Sequence, residues 1–261
     1  MIMFTPTTME ESNDLYRAYL ATLSSVYDNF LEDHILGSAF HLIRKDDRTI
    51  GFLAIHADSL LTLFFIERSE LRLAQPAFDA ALSEFGFQSA FVPTCDELFL
   101  ALAMDRHVRI EKQAYFFIDG GRAVRAPEYD RTCLHLVPRD QWPDVNGRTE
   151  NFFDEVFEPK VRDGHIPYEI YELRSAEGIL GYGLREGTRI FTGYDAIGMY
   201  VMPEHREKGV GRSIILHLKD ICAEAGQGAL PGCWYYNHNS KRTLESAGFV
   251  TKTRLLKVFF A

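Results

Sequence analysis

The sequence has little of what would tie it to metal, membrane or nucleic acid. Only four cysteines occur, Cys95, Cys133, Cys222 and Cys233. They form no Cys-x-x-Cys pair and no metal-ligand spacing, so neither a zinc cluster nor a disulfide framework organises the chain, and no metal is expected. No apolar run approaches the ~18 residues that a membrane span requires. Basic residues are in deficit, 28 Lys and Arg against 37 Asp and Glu, for a formal charge of −9. That is the wrong field for a general nucleic-acid or anionic-membrane binder. The opening Met1-Ile2-Met3-Phe4-Thr5-Pro6 lacks the basic and long apolar regions of a secretory leader. The expectation is a reduced, cytoplasmic protein. What is present in quantity is apolar and aromatic. Hydrophobic residues make up 46%, with 20 Phe and 12 Tyr, which suits well-filled cores. At 261 residues the chain can hold one large domain or two ordinary ones.

Periodicity favours two. Apolar residues at helical spacing (Leu15, Tyr19, Leu20, Leu23, Val26) predict a helix from Glu10 to about Phe30. Strand-like runs follow at Ala39–Arg44, Thr49–His56 and Leu60–Glu67, with Asp46-Asp47 as the first turn. A helix over Leu71–Phe85, a strand at Ser89–Val92, a helix over Asp96–Asp105 and a strand from Val108 to Ile118 complete the half. Gly120-Gly121 and the polar stretch to Asp130 read as a linker. The order then repeats: strand Thr132–Val137, helix about Glu150–Arg162, strands Tyr168–Arg174, Ile179–Arg185 and Asp195–Met202. A helix over Arg212–Ala225, a strand Ala229–Tyr236, a helix Ser240–Ala247 and a strand Lys252–Phe260 end the chain. Both halves read as α/β with a mixed sheet, bounded at about 1–120 and 128–261.

One stretch carries chemistry. After the apolar run Met199-Tyr200-Val201-Met202 come Pro203, a polar turn, and Arg206-Glu207-Lys208-Gly209-Val210-Gly211-Arg212 at the head of an amphipathic helix. Unpaired N–H groups and a partial positive charge at a helix start attract phosphate. Glycine lets the backbone approach a bulky anion. His205, Arg206, Lys208 and Arg212 add positive potential to an acidic chain. The spacing fits neither Gly-x-x-x-x-Gly-Lys-Ser/Thr nor Gly-x-Gly-x-x-Gly. A simple turn beside a helix start is the other reading of two glycines.

The order strand, Val-x-Pro, Arg206-x-x-Gly209-x-Gly211, long helix resembles motif A of the GNAT superfamily of acyl-CoA-dependent N-acyltransferases. Asn237-x-x-Ser240, closed by Gly248-Phe249, resembles its motif B. The resemblance covers about the last 130 residues and implies a GNAT fold there, with acetyl-CoA as acyl donor. It implies that Lys208, Gly209, Val210, Gly211 and Arg212 hold the pyrophosphate, with Arg206 in the same element and Asn237 and Ser240 beside the cofactor. The strand around Met199, Tyr200 and Val201 would pair with the pantetheine arm and offer an oxyanion donor. The strands matching Asp195–Met202 and Ala229–Tyr236 would splay apart, and Pro231-Gly232 suits that interruption.

Acyl transfer to an amine needs a proton acceptor. Asp195 lies six residues before Val201, on the same strand face, where the resemblance places a base; a cap at the strand start is its other reading. Glu172, Glu204 and His205 are further choices. The family's thiolate-protonating tyrosine falls on Leu244, so Tyr235 or Tyr236 would have to replace it, or else packs as a wall. Cys233 reads as a small buried residue, and His217 and His238 as solvated. The first half has Arg68-Ser69-Glu70-Leu71-Arg72-Leu73-Ala74 after its third strand, with no glycine. It is expected to be a degenerate GNAT-like half without a cofactor site, shaping the acceptor pocket. The whole reads as an N-acetyltransferase acting on a primary amine of a small molecule or peptide, as monomer or homodimer. The alternative is a non-catalytic acyl-CoA-binding regulatory module.

Overall fold

The computed structural model describes residues 1–153 and 168–261. The helix expected over Glu150–Arg162 lies largely outside the described residues. The chain divides into two compact units, Met1–Phe116 with Lys252–Ala261, and Phe117–Thr251.

The first unit runs β1 (Ile2–Thr7), α1 (Asn13–Leu20), α2 (Asn29–Leu36), β2 (Ala39–Lys45), β3 (Arg48–His56), β4 (Leu60–Ile66), α3 (Ala74–Phe85), β5 (Ser89–Pro93) and α4 (Glu97–Arg106). The long strand β6 (His107–Asp119) then carries the chain into the second unit. The last strand of the chain, β12 (Phe249–Phe260), returns to the first unit and pairs antiparallel with β5, Leu255 opposite Pro93. Strands β1 to β4 are antiparallel neighbours, and β4 meets β5 in parallel. The edge strand β1 is absent from the sequence reading; its Pro6 sits where an edge tolerates a missing N–H. The helix expected over Glu10–Phe30 is shorter, ending at Leu20, and residues 21–28 are not helical. Asp28 accepts the Leu31 N–H at 3.2 Å and restarts the chain as α2.

The core of this unit is aromatic, with Phe64, Phe78, Phe87, Phe99 and Phe260 in one buried cluster. On the other side of the sheet Tyr16 and Tyr19 pack on Phe52, and Tyr19 also on Phe65. The β4–β5 ladder is short. It pairs only Leu60 with Ser89 and Leu61 with Ala90, and β4 then continues to Ile66. A 3-10 turn over Arg68–Leu73 follows, with Glu70 buried in it. Asp96, at the foot of α4, accepts the Phe99 N–H at 3.0 Å and is 5% exposed.

The second unit runs β7 (Leu134–Leu136), α5 (Trp142–Arg148), β8 (Tyr168–Ser175), β9 (Gly178–Gly187), β10 (Tyr194–Val201), α6 (Val210–Glu224), β11 (Gly228–Trp234) and α7 (His238–Ser246). Its sheet order is β7-β8-β9-β10-β11, antiparallel except for the last pair. Helix α6 covers one face; an added Cβ at Gly183 would meet Ile214 at 2.7 Å, so the glycine strand lets the helix sit close. Trp142, Val145, Phe153, Tyr168, Ile170 and Tyr182 form a second core cluster. Helix α5 has no counterpart in the sequence reading, because Pro143 and Gly147 obscure its seven residues. Among the described residues no helix is long and apolar enough to cross a membrane, and no group of three or more His, Cys, Asp or Glu could hold a metal ion.

Burial pushes the carboxyls of Asp28 and Asp96 up to about 7. An unfolded aspartate titrates near ~3.9, so between these values the folded state holds the proton more tightly. The resulting stability is complete below the unfolded value and is lost as pH rises through about 7. Asp96→Asn keeps a capping oxygen but removes one of these titrations. Thermal unfolding at pH 5 and pH 8 should show the variant gaining on the native chain at the higher pH. An unchanged difference between the two proteins would sink this account.

Candidate active site

The site is built on a broken ladder. β10 and β11 pair in parallel from Tyr194–Gly228 to Ile197–Pro231, and there the pairing ends. Proline has no N–H for a further bond. β10 nevertheless continues to Val201, held by β9 on its other edge through Val201–Gly181. β11 continues to Trp234. Past Ile197, the edge of β10 that faces β11 therefore has no strand partner among the described residues. Met199, Tyr200 and Val201 occupy this free stretch.

At its end a 3-10 turn over Pro203–His205 leads into the loop. Glu207 and Gly209 both take left-handed backbone, φ +62° and +79°. Gly209 is the residue before α6, and no side chain caps that helix. The N–H groups at the start of α6 are thus open to an anion. Gly211 sits where a Cβ would come 3.0 Å from Met199 Sδ, 3.2 Å from Val201 and 3.3 Å from Thr243. Its absent side chain is what brings the helix start against β10. Arg206 donates through Nε to the Val201 carbonyl at 3.3 Å, and Arg206 and Lys208 are exposed. On the far side, Asn237 spends its side-chain oxygen on the Ser240 N–H, 3.0 Å, starting α7. Tyr236 is half-exposed. Leu244 is buried and packs in the interior.

Three positions differ from the sequence reading. Arg212 does not reach toward an anion. It is 7% exposed, and its guanidinium pairs with both oxygens of Glu128 at 3.1 Å and with the carbonyls of Arg125 and Ala126. The linker is therefore a strap on α6. The N–H groups of Glu128 and Tyr129 donate to Ser213 Oγ, and Arg131 bonds the His217 carbonyl. His217, expected in solvent, is buried beneath it with Nε2 at 2.8 Å from the Tyr129 carbonyl. Glu128 also explains Gly209, since a Cβ there would lie 2.5 Å from its Cδ. Burial works against the Glu128 charge, but the hydrogen bond and charge of Arg212, with Arg125, hold its carboxyl below the ordinary value.

Asp195 is the third. It shares a strand face with Met199 and Val201, but that face packs on α6. Asp195 is 3% exposed and bonds Arg185 at 2.7 Å. Arg185 in turn reaches Glu169 at 3.0 Å, which also accepts from Tyr171. Burial opposes the Arg185 charge, yet the two carboxylates outweigh it and hold the guanidinium above its ordinary range. A base must be reachable and free to take a proton; Asp195 is neither. Glu204 is an open carboxylate, exposed on the turn beyond β10. Glu172 is mostly covered and lies 2.5 Å from Arg174. His205 has its side chain largely buried, 3.9 Å from Glu177.

A split parallel ladder with a glycine-shaped helix start at its mouth defines an α/β fold with an open strand edge leading to an uncapped helix start. An acetyltransferase (GNAT) domain matches residues 8–120, and the acetyltransferase (GNAT) family matches residues 145–249. The chain belongs to the GNAT superfamily and carries two of its domains in tandem. No curated protein matches it in sequence. Among solved structures, a GNAT-family acetyltransferase from Colwellia psychrerythraea is 15% identical, with a TM-score of 0.85 over 100% of both chains. A tandem GNAT protein from the clavulanic acid biosynthesis pathway is 15% identical, with a TM-score of 0.66 over 99% of this chain and 98% of that one. A GCN5-related N-acetyltransferase from Sphaerobacter thermophilus is 13% identical, with a TM-score of 0.59 over 98% and 94%. At these identities the likeness is one of fold.

The Arg212–Glu128 pair is open to measurement. Arg212→Met leaves two linker carbonyls unbonded and Glu128 with only Arg125 and Ser213 as partners, a loss of about 2–4 kcal/mol. Glu128→Gln should cost less, and the double variant less than the sum, with a coupling of about 1–3 kcal/mol by urea unfolding. Additive costs would show that the strap and helix do not depend on this pair.

Proposed function

We propose that the second unit transfers an acetyl or other short acyl group from acyl-CoA to the primary amine of a small molecule or peptide. The observation that carries this reading is the loop from Arg206 to Gly211 lying directly at the open end of the β10–β11 split. The residues present fit the donor. The uncapped start of α6 suits a pyrophosphate, and the close approach at Gly211 leaves no side chain in its way. Backbone N–H groups of Lys208 to Gly211 would hold the phosphates, with Arg206 and Lys208 as exposed cations. The free edge of β10 at Met199, Tyr200 and Val201 would receive the extended arm as an added strand. Asn237 would act through the placement of α7 and Ser240, since its side chain is committed to the cap. When bound, the donor supplies an acyl thioester activated for attack by a neutral amine.

The chain's own contribution is then orientation and proton handling. With Asp195 tied to Arg185, the amine's proton would pass to water or to Glu204. Tyr236, half-exposed two residues beyond β11, is better placed than Tyr235 to meet a departing thiolate through solvent. A free thiol titrates near ~8.5, so the thiolate can leave without a dedicated acid. The first unit, with Glu70 in place of the glycine loop, would not hold a donor.

Calorimetric titration with acetyl-CoA, joined to a thiol-release assay against a panel of amines, tests the reading. Gly211→Val should weaken acetyl-CoA binding at least about tenfold, because α6 must retreat from β10. Asp195→Asn should lower the unfolding temperature by leaving Arg185 half-paired, yet leave the pH profile of turnover in place. Unchanged binding in Gly211→Val would overturn the site. Tight binding with no turnover on any amine would favour the regulatory module instead.

A further inference from the structure

Resting on that reading, we propose that the acceptor is a small amine carrying a flat apolar ring, seated on an aromatic rim formed by Trp234 and Phe152. The exposed aromatics of the second unit are not scattered. Its large exposed hydrophobic residues are Leu136, Phe152, Tyr194, Trp234, Tyr236 and Val250 among the described residues. Trp234 ends β11, Tyr236 lies two residues beyond it, and Phe152 packs on the open end of β10. Trp234 is 58% exposed, and its ring lies 5.1 Å from that of Tyr236, with Tyr235 a further 5.2 Å on. Phe152, 53% exposed, packs 5.2 Å from Tyr200, the penultimate residue of β10.

Alternation along β10 says which side the second pair faces. Met199 and Val201 touch α6 at Gly211, so Tyr200 points to the opposite face, the face of the Trp142–Tyr182 cluster. The donor's phosphates are assigned to the α6 side. A ring held by Phe152 and Tyr200 is therefore on the side left for the acceptor. Apolar rings kept in water at a transfer site lose nothing by being covered, and ring-on-ring contacts add to the area buried. An acceptor amine arrives protonated, and an aromatic face favours a cation.

The test compares 2-phenylethylamine with ethanolamine as acceptors for acetyl-CoA in the full chain. The ring-bearing amine should have a kcat/KM about tenfold higher. Trp234→Ala and Phe152→Ala, both at exposed positions, should each reduce that value about fivefold through KM, leaving the KM for acetyl-CoA and turnover of ethanolamine unchanged. Equal use of the two amines overturns the proposal, as does a rise in the acetyl-CoA KM, which would assign the rim to the donor. Binding is read separately by tryptophan fluorescence. 2-Phenylethylamine should quench the full chain in the presence of CoA, and the signal should be missing in Trp234→Phe. No quenching while acetyl-CoA still binds defeats this inference alone; failure to bind acetyl-CoA defeats the reading beneath it.

Discussion

Everything distinctive in the second unit follows from a parallel ladder that stops at Ile197 and Pro231. Two parallel strands side by side normally satisfy each other's polar groups for their full length. Here proline withdraws a donor from β11, while β9 keeps β10 straight for four residues more. A row of backbone groups is then left facing an opening rather than a strand. Because β10 runs on into the loop, α6 begins just beyond that opening, with no side chain capping its first turn. Gly211 makes the arrangement tight. With any side chain there, helix and strand would part, and the anion site would separate from the strand edge.

The first unit has the same break and fills it differently. Its ladder ends at Leu61 and Ala90, and the free length of β4 carries Phe65 against Tyr19. Where the second unit caps α7 with Asn237, the first caps α4 with a buried aspartate, Asp96. Where the second has a glycine loop, the first has a 3-10 turn with buried Glu70, bonded to Arg48 at 2.9 Å. Each change replaces room for an anion with a ring or a carboxylate. The same scaffold is thus used in one unit as an open cradle and in the other as a closed core.

Much of this was readable in the sequence because it is local. The strands from β2 to β4 and from β8 to β11, the glycine loop, the Asp96 and Asn237 helix starts and the interruption at Pro231 each announce themselves within a few residues. The doubling of the GNAT fold was legible from element order, although the first half keeps no glycine motif. What escaped depends on distant partners. Arg212 and His217 read as the polar side of an amphipathic helix, but a linker some 85 positions away covers that side. Asp195 had the right face and spacing for a base, and only the register of β9, which sets Arg185 opposite Ile197, brings that guanidinium diagonally to it. The final strand read as the end of the second half, yet from Lys252 it groups with the first unit. Strand alternation names a face; it does not name what the face meets.

The buried charges bear on how an acidic chain could present the proposed anion site. Arg185 is enclosed by Asp195 and Glu169, and Arg212 by Glu128 and two carbonyls. Charges removed from water hold only when matched in this way, and once matched they project little field. The formal −9 is therefore a poor guide to the potential at the loop. What would act there on the proposed donor is short-range: the N–H groups of the first turn of α6, set by the left-handed backbone at Glu207 and Gly209, with Arg206 and Lys208 exposed beside them. An anion held chiefly by oriented backbone is held by geometry. Such a site tolerates an acidic surface but not a change of φ at Gly209, where Glu128 and the left-handed turn leave no space for any side chain.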